Sequence, residues 1–157
     1  MTPSQRESYF APLHDLPAIS RTILEAFRNH RGFVKREHAE DVSRYRQSLD
    51  DDPDIDPAVW HVAQEEGEVV GVCLGTTKYS GDENQAYIFT LGVRDRWRGR
   101  GIGRALLVHA FATFYRHHRT HVDLDVDTNN LTGALKLYEG VGMVPLWRID
   151  EYHKQLR

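Results

Sequence analysis

Apolar residues recur at three- and four-residue steps in four parts of the chain, which is the spacing of one face of an α-helix. Asp15 can cap the first of these helices, and Gly140 or Gly142 can end the last one in a left-handed conformation. The predicted helices cover about 16–27, 35–49, 103–118 and 131–140. The positions that carry the pattern in the first three are Leu16, Ile19, Ile23, Phe27, Val42, Tyr45, Leu49, Leu106, Leu107, Ala110, Phe111 and Phe114.

Strand-like stretches separate these helices. Glu66-Gly67 predicts a tight turn between two strands, and the stretch 121–127 alternates apolar residues with acidic ones. The predicted strands lie within 7–13, 58–65, 68–79, 84–93, 121–127 and 144–156, with a final hairpin as an option. The order βααβββαβαβ predicts a mixed α/β sheet layered with helices. With no linker or repeat in the sequence, we expect residues 1–157 to form a single domain.

The composition excludes several classes of function. The net charge of −3 argues against a broad basic face for nucleic acid, and no apolar run is long enough to span a membrane. The first residues lack the pattern of a secretion signal, so we expect a cytoplasmic protein. Cys73 is the only cysteine and the nine histidines show no zinc-binding spacing, so no metal site is expected.

The segment "RDRWRGRGIGRALL" (94–107) places five arginines and three glycines directly before the third helix. The first N–H groups of a helix have no acceptors inside it and carry about half a positive charge, so this end of a helix binds anions. Glycine lets a phosphate approach the main chain, and arginine adds charged hydrogen bonds. The turn therefore predicts a pyrophosphate site, formed by Gly99, Gly101, Gly103, Arg98, Arg100 and Arg104.

Other interpretations of this turn remain open. It could be a solvated, charged turn that happens to precede a helix. A dinucleotide-binding fingerprint needs a third glycine where Arg104 stands, although Asp123 lies about 20 residues on, where a ribose-binding acid is expected. A P-loop needs Gly-Lys-Ser/Thr, which the segment lacks.

Two motifs resemble those of the GNAT N-acetyltransferases. Arg98-x-x-Gly101-x-Gly103 follows the strand "YIFTLGV" as the acetyl-CoA loop of that family does, and "NNLTGALKLYEGVGM" (129–143) resembles its later helix. The chain is most similar to bacterial domains related to mycothiol synthase, which often occur in tandem. The resemblance implies the GNAT fold, a mixed and mostly antiparallel central sheet of six to seven strands flanked by about four helices.

The resemblance also implies acetyl-CoA as cofactor. Main-chain groups of Leu91 and Val93 would hold the pantetheine arm, the turn 98–104 would hold the pyrophosphate, and Asn130 would contact the cofactor. Asn130 lies eight residues before Tyr138, where the commoner family spacing is seven. The implied cofactor-binding set is Leu91, Gly92, Val93, Arg98, Gly99, Arg100, Gly101, Ile102, Gly103, Arg104 and Asn130.

Catalytic roles follow from the same resemblance. Tyr138 matches the family tyrosine that acts as general acid, and the alternative is a core residue, because Tyr138 shares a helical face with Leu135. Tyr87 stands where some members have a basic glutamate. On the following strand, "LDVD" (124–127) resembles the "LEVR" of bacterial ribosomal-protein alanine acetyltransferases, which implies Asp125 as the candidate base. Asp125 could act through a water, could only attract a cationic amine, or could simply lie on an exposed strand face. Cys73 is discounted as a nucleophile because a lone cysteine on a central strand usually belongs to the core.

The predicted function is an N-acetyltransferase that acetylates a primary amine of a small molecule or a peptide terminus by direct attack. A non-catalytic acyl-CoA sensor or scaffold is the alternative, and a dinucleotide-binding domain a weaker one. We expect a monomer or a homodimer that has no nucleic-acid or membrane partner. Residues expected to line the acceptor site are His30, Arg31, Phe33 and Trp147.

Overall fold

The structure is a computed structural model that describes residues 7–10, 15–30, 32–127, 129 and 133–157. The predicted helices are all present, and single-turn 3-10 helices lie at Pro57–Val59 and Asp95–Trp97. None of the described helices combines the length and the apolar character that crossing a membrane requires. The elements are β1 (Glu7–Phe10), α1 (Leu16–Phe27), α2 (His38–Asp51), β2 (His61–Glu65), β3 (Glu68–Thr76), β4 (Gln85–Val93), α3 (Ile102–Arg116), β5 (His121–Asp123) and α4 (Ala134–Gly140).

The strands form one sheet in the order β1-β2-β3-β4-β5. The first four pair antiparallel, and β5 lies parallel to β4 because α3 carries the chain back across the sheet. Glu66 and Gly67 form the predicted turn between β2 and β3, with φ values of +53° and +81°. The mixed, mostly antiparallel sheet with four helices is thus confirmed. Among the described residues the sheet has five strands, which corrects the expectation of six to seven.

The strand expected over 144–156 accounts for this difference. Residues 143–157 contain neither helix nor strand. A strand forms only through hydrogen bonds to a neighbouring strand, and an apolar pattern in the sequence cannot supply that neighbour. Large apolar side chains of this segment are therefore 72% to 96% exposed, namely Val144, Leu146, Trp147, Ile149, Tyr152 and Leu156.

Helices pack on both faces of the sheet at glycine positions. A Cβ on Gly71 would lie 3.1 Å from side-chain atoms of Ile102 and Leu106, so α3 lies directly on the backbone of β3. A Cβ on Gly92 would lie 2.9 Å from the ring of Phe27, so α1 covers β4 on the opposite face. These two close approaches fix the start of α3 and the end of α1 beside the same stretch of β4.

A bulge interrupts β4 just before this stretch. Leu74 lies opposite Thr90 and Gly75 lies opposite Ile88, so Phe89 has no direct partner on β3. One extra residue shifts the in-and-out alternation of a strand by one position. The part of β4 that follows Phe89 therefore presents a different set of side chains to each face than a regular strand would.

Candidate active site

β4 and β5 separate beyond their short parallel pairing, and this split forms a cleft. The pairing ends at Tyr87 and Asp123, so the strand predicted over 121–127 is paired only over its first three residues. From there residues 124–127 leave the sheet while β4 continues to Val93. The cleft has a volume of about 360 Å³, and α3 and α4 contribute to its lining. After Tyr87 this edge of β4 has no described strand partner, so an extended ligand can hydrogen-bond there as an added strand would.

The glycine-rich turn places the N-terminus of α3 at this cleft. Gly101 is the N-cap with φ of +79°, and Gly99 has φ of +72°. No atom lies within 4 Å of where a Cβ would stand on either residue, so the space before the helix is open. The helix begins its hydrogen bonding with Ala105 N donating to Gly101 O at 3.0 Å, which leaves the amides of the first turn without acceptors inside the helix. This open, positively polarised turn suits a phosphate.

Most residues predicted to bind the cofactor come together at the cleft. Arg100 is not among the residues that line it, and Asn130 lies outside the described residues. The predicted residues that line the cleft are Leu91, Gly92, Val93, Arg98, Gly99, Gly101, Ile102, Gly103 and Arg104.

The arginines of the turn have unequal roles. The Arg98 guanidinium donates hydrogen bonds to Val93 O at 3.0 Å and to Ala26 O at 2.7 Å, and it forms an ion pair with Asp95 at 2.8 Å. These contacts tie the turn to β4 and α1 and occupy the guanidinium. Arg100 Nη1 lies 3.6 Å from Glu65 Oε2. The side chains of Arg98 and Arg100 are thus directed at protein partners, whereas Arg104 lies at the cleft.

Tyr138 lies on α4 and lines the cleft together with Leu91 and Val93 of β4. Burial raises the pKa of the Tyr138 phenol above its ordinary value, and the nearby Cys73 thiol adds to the shift. The hydroxyl therefore keeps its proton at neutral pH. A protonated phenol at this position can donate a proton to a leaving group in the cleft.

Asp125 also lines the cleft and is held by a residue of the opposite strand. The Tyr87 hydroxyl donates a hydrogen bond to Asp125 Oδ2 at 3.1 Å, and the Tyr87 ring stacks on Tyr79 with centroids 4.2 Å apart. Burial, followed by the contact with Asp125, raises the pKa of Tyr87 to about 12, so its hydroxyl remains a donor. Tyr87 thus holds the carboxylate of Asp125 at the cleft.

The remaining sequence candidates are dispersed. Cys73 is buried, and burial raises the pKa of its thiol to about 12, so the reactive thiolate is not formed at neutral pH. His30 lines the cleft, whereas Phe33 lines a second groove between α1 and α2. Trp147 is 83% exposed on the irregular 143–157 segment, and Arg31 lies outside the described residues.

Sequence reasoning missed several residues that line the cleft. Phe27 was predicted only as an apolar position of α1, and Trp97 was noted only as part of the arginine-rich segment. An aromatic residue in a charged turn was the available signal for Trp97, since such a residue needs a packing partner. The lining residues that were not predicted to belong to the site include Phe27, Trp97, Asp127 and Leu137.

Comparison with known proteins agrees with this architecture. A model of the acetyltransferase (GNAT) family matches residues 19–143. A mycothiol acetyltransferase of Streptomyces coelicolor is 31% identical over 110 residues, which are 68% of this chain and 35% of that protein. The chain spans between 34% and 38% of the length of the mycothiol acetyltransferases that it matches.

Two solved structures share the fold. A GCN5-related N-acetyltransferase from Sphaerobacter thermophilus aligns with a TM-score of 0.70 at 31% identity, over 92% of this chain and 42% of that chain. The aminoglycoside N-acetyltransferase AAC(6')-Iy in complex with CoA aligns with a TM-score of 0.74 at 13% identity, over 99% of this chain and 100% of that chain. With its glycine turn at the head of α3 and the split between β4 and β5, the chain belongs to the acetyltransferase (GNAT) family.

Proposed function

We propose that the protein is an acetyl-CoA-dependent N-acetyltransferase that acetylates a primary amine of a small molecule or a peptide terminus. The observation that carries the proposal is the glycine-capped start of α3, which opens into the split between β4 and β5. The helix end suits a diphosphate and the strand edge suits an extended chain, and acetyl-CoA contains both. Membership of the acetyltransferase family supports the same assignment.

The residues of the cleft fit this cofactor in space and in charge. Gly99 and Gly101 leave room for phosphate oxygens close to the main chain. We assign the diphosphate to the amides of residues 102–104, with the Arg104 guanidinium beside them, and the pantetheine arm to the main chain of Leu91 and Val93. Asn130 remains a predicted contact that lies outside the described residues.

The catalytic proposal gives Tyr138 and Asp125 opposite tasks. Acetyl-CoA, when bound, supplies the acetyl group as a reactive thioester. Asp125 attracts the protonated amine and takes its proton, directly or through a water, so that the nitrogen can attack. Tyr138 holds on its hydroxyl the proton that the departing sulfur needs. The hydrogen bond from Tyr87 keeps Asp125 at the cleft.

The charge of the cleft favours a cationic acceptor. Asp125 and Asp127 both line it, on the side opposite β4. Carboxylates at a partly enclosed site attract a protonated amine before it binds. Relatives and structural neighbours named for mycothiol and for aminoglycosides make small amines the first class to test.

The test has two stages. Calorimetry with acetyl-CoA is expected to show binding to the wild-type protein, and a thiol assay is expected to detect CoA release with at least one member of a panel of aminoglycosides, amino sugars and peptides. In the same assay, Asp125→Asn is expected to lower kcat/KM for the amine by about tenfold or more while acetyl-CoA affinity stays unchanged.

Each negative result has a distinct meaning. Absence of binding at millimolar acetyl-CoA contradicts the cofactor assignment. Binding without thiol release for every amine supports the alternative of a non-catalytic acyl-CoA-binding domain, which the presence of Tyr87 in place of the family glutamate suggests.

A further inference from the structure

A buried carboxylate lies behind the glycine turn, outside the residues already assigned to chemistry. Glu65 is the last residue of β2 and is only 7% exposed. Its Oε2 accepts a hydrogen bond from the indole Nε1 of Trp97 and lies 3.6 Å from Arg100 Nη1. Its Oε1 is buried and has no hydrogen-bond partner among the described residues.

Trp97 connects this carboxylate to the cleft. Its side chain is 8% exposed, it ends the 3-10 turn that leads into the glycines, and it lines the cleft. The guanidinium groups of Arg94 and Arg96 lie over its ring, at 4.8 Å and 5.1 Å from the centroid. Contacts between a guanidinium and the face of a ring do not fix the position of the ring in its own plane. The hydrogen bond to Glu65 adds this directional restraint.

Stability alone does not explain a carboxylate at this position. Removing a charged oxygen from water without a hydrogen-bond partner is unfavourable, and the hydrogen bond from Trp97 uses only one of the two carboxylate oxygens. Glu65 nevertheless retains one buried oxygen unsatisfied while the other oxygen contacts two residues of the turn that precedes α3. A group that is unfavourable for folding and is aimed at a binding loop is typical of a functional role.

We propose that Glu65 is a positioning residue for the cofactor, which holds Trp97 and Arg100 so that the glycine turn presents the first amides of α3 to the diphosphate. This inference rests on the proposed function, since it needs acetyl-CoA or CoA as the ligand of the turn. Glu65 itself contacts neither the diphosphate nor the reacting atoms. Its effect is therefore expected in cofactor affinity and not in the chemical step.

Glu65→Leu tests the inference, with CoA as the titrant in calorimetry and acetyl-CoA in kinetics. The Kd for CoA and the KM for acetyl-CoA are expected to rise about tenfold, the size of effect of one lost hydrogen bond to a charged group. The kcat at saturating acetyl-CoA and the KM for the amine are expected to stay within about twofold of wild type. Glu65→Gln retains an acceptor for the Trp97 N–H, so its Kd is expected to lie much nearer wild type.

Trp97→Phe removes the donor and keeps an aromatic ring, so it tests the same contact if Glu65→Leu does not fold. Its Kd for CoA is expected to rise about as much as that of Glu65→Leu, and the double variant is expected to be no weaker than either single one. Asp41→Ala is the matched control, because Asp41 is a buried carboxylate 2.9 Å from Ser20 Oγ on another helix. It is expected to lower the melting temperature and to leave the Kd unchanged.

Three results overturn the inference while the proposed function stands. They are wild-type CoA affinity in both Glu65→Leu and Trp97→Phe, equal weakening by Glu65→Gln and Glu65→Leu, and additive losses in the double variant. Failure of the wild-type protein to bind CoA is a different result, which overturns the proposed function itself.

Discussion

The two walls of the cleft are built differently. The α3 wall, residues 94–104, is tied to the rest of the protein by the guanidinium of Arg98, which donates to Val93 O on β4 and to Ala26 O on α1. The α4 wall consists of residues 124–127 and Ala134–Gly140. Its helix has only seven residues, none of them fully buried, and residues 124–127 have left the sheet.

This difference separates two tasks of the site. A wall fixed by many contacts is already arranged for its ligand, so little ordering free energy is lost on binding. A wall with few contacts can adjust, and regions of this kind open most readily. We therefore expect the α3 wall to determine cofactor affinity, and the α4 wall, which carries Tyr138 and Asp125, to determine turnover.

The strongest test of the comparison is Gly101→Trp on the α3 wall. A residue with a Cβ is strained by about 1–2 kcal/mol at a φ of +79°, and an indole would fill the open space before α3. The affinity for acetyl-CoA is expected to fall by roughly a thousandfold, the combined loss of several charge-assisted hydrogen bonds. Calorimetry measures the change.

Gly81→Trp is the control for backbone strain. Gly81 has φ of +73° and equally open surroundings, but it lies in the turn between β3 and β4 and away from the cleft. It is expected to lower the melting temperature without altering acetyl-CoA affinity. If Gly101→Trp binds acetyl-CoA as tightly as wild type, the diphosphate does not bind at the α3 wall.

Acid is expected to weaken the packing of α3 against the sheet. His61 on β2 is 5% exposed and its Nε2 lies 3.0 Å from Thr113 Oγ1 on α3. Burial, followed by the nearby His109 and Arg116, lowers the pKa of His61 to about 4. As the pH falls below about 6.5 the unfolded chain gains a proton that the folded protein takes up only near pH 4, so stability is lost across that window.

Between pH 7 and pH 4, His61 is expected to lower the free energy of unfolding by about 3 kcal/mol at most. This change corresponds to more than a hundredfold in the unfolding equilibrium constant. Urea unfolding at several pH values measures it. His61→Gln is expected to flatten the pH dependence, whereas His121→Gln, at an exposed position on β5, is expected to leave it as it is. An unchanged slope in His61→Gln contradicts the assignment.

Tyr138→Phe addresses the α4 wall. Removing the hydroxyl is expected to lower kcat by about a hundredfold, the usual size of a general-acid contribution, because the leaving sulfur loses its proton donor. Acetyl-CoA affinity is expected to stay within about twofold of wild type. Steady-state kinetics and calorimetry together separate the two quantities.

Tyr115→Phe provides the comparison for Tyr138→Phe, because Tyr115 is 74% exposed on α3. It is expected to behave as wild type. If Tyr138→Phe weakens cofactor binding and leaves kcat unaltered, the division of tasks between the two walls is wrong.

Features that depend on neighbours in sequence were predictable. The start of α3 follows from the glycines that precede it, and the end of α4 follows from Gly142, whose φ is +86°. There Gly142 N donates to Glu139 O and Met143 N donates to Tyr138 O, the hydrogen bonds that close a helix at a left-handed residue. Asp15 occupies the predicted N-cap position of α1, although its side chain makes no capping hydrogen bond.

Features that depend on distant partners were not predictable. The sequence assigned the Arg98 guanidinium to the diphosphate, but it could not show that the same group also donates to Ala26 O, 72 positions away in the chain. The contact from Tyr87 to Asp125 depends in the same way on how a parallel strand pair aligns. The prediction of a strand over 144–156 was wrong for the same reason. This segment carries the pattern of a strand but has no strand beside it among the described residues.

Because of the bulge at Phe89, the in-and-out alternation of side chains differs between the two halves of β4. Tyr87, before the bulge, keeps Asp125 in place, while Gly92, after it, admits the end of α1. Deleting a single residue here would restore a regular alternation along the whole strand. The side chains of one half would then point to the opposite faces of the sheet, although every other residue of the strand would be retained. A change in the length of β4 at this point therefore changes which side chains face the cleft along half of the strand, an effect that a substitution at one position does not have.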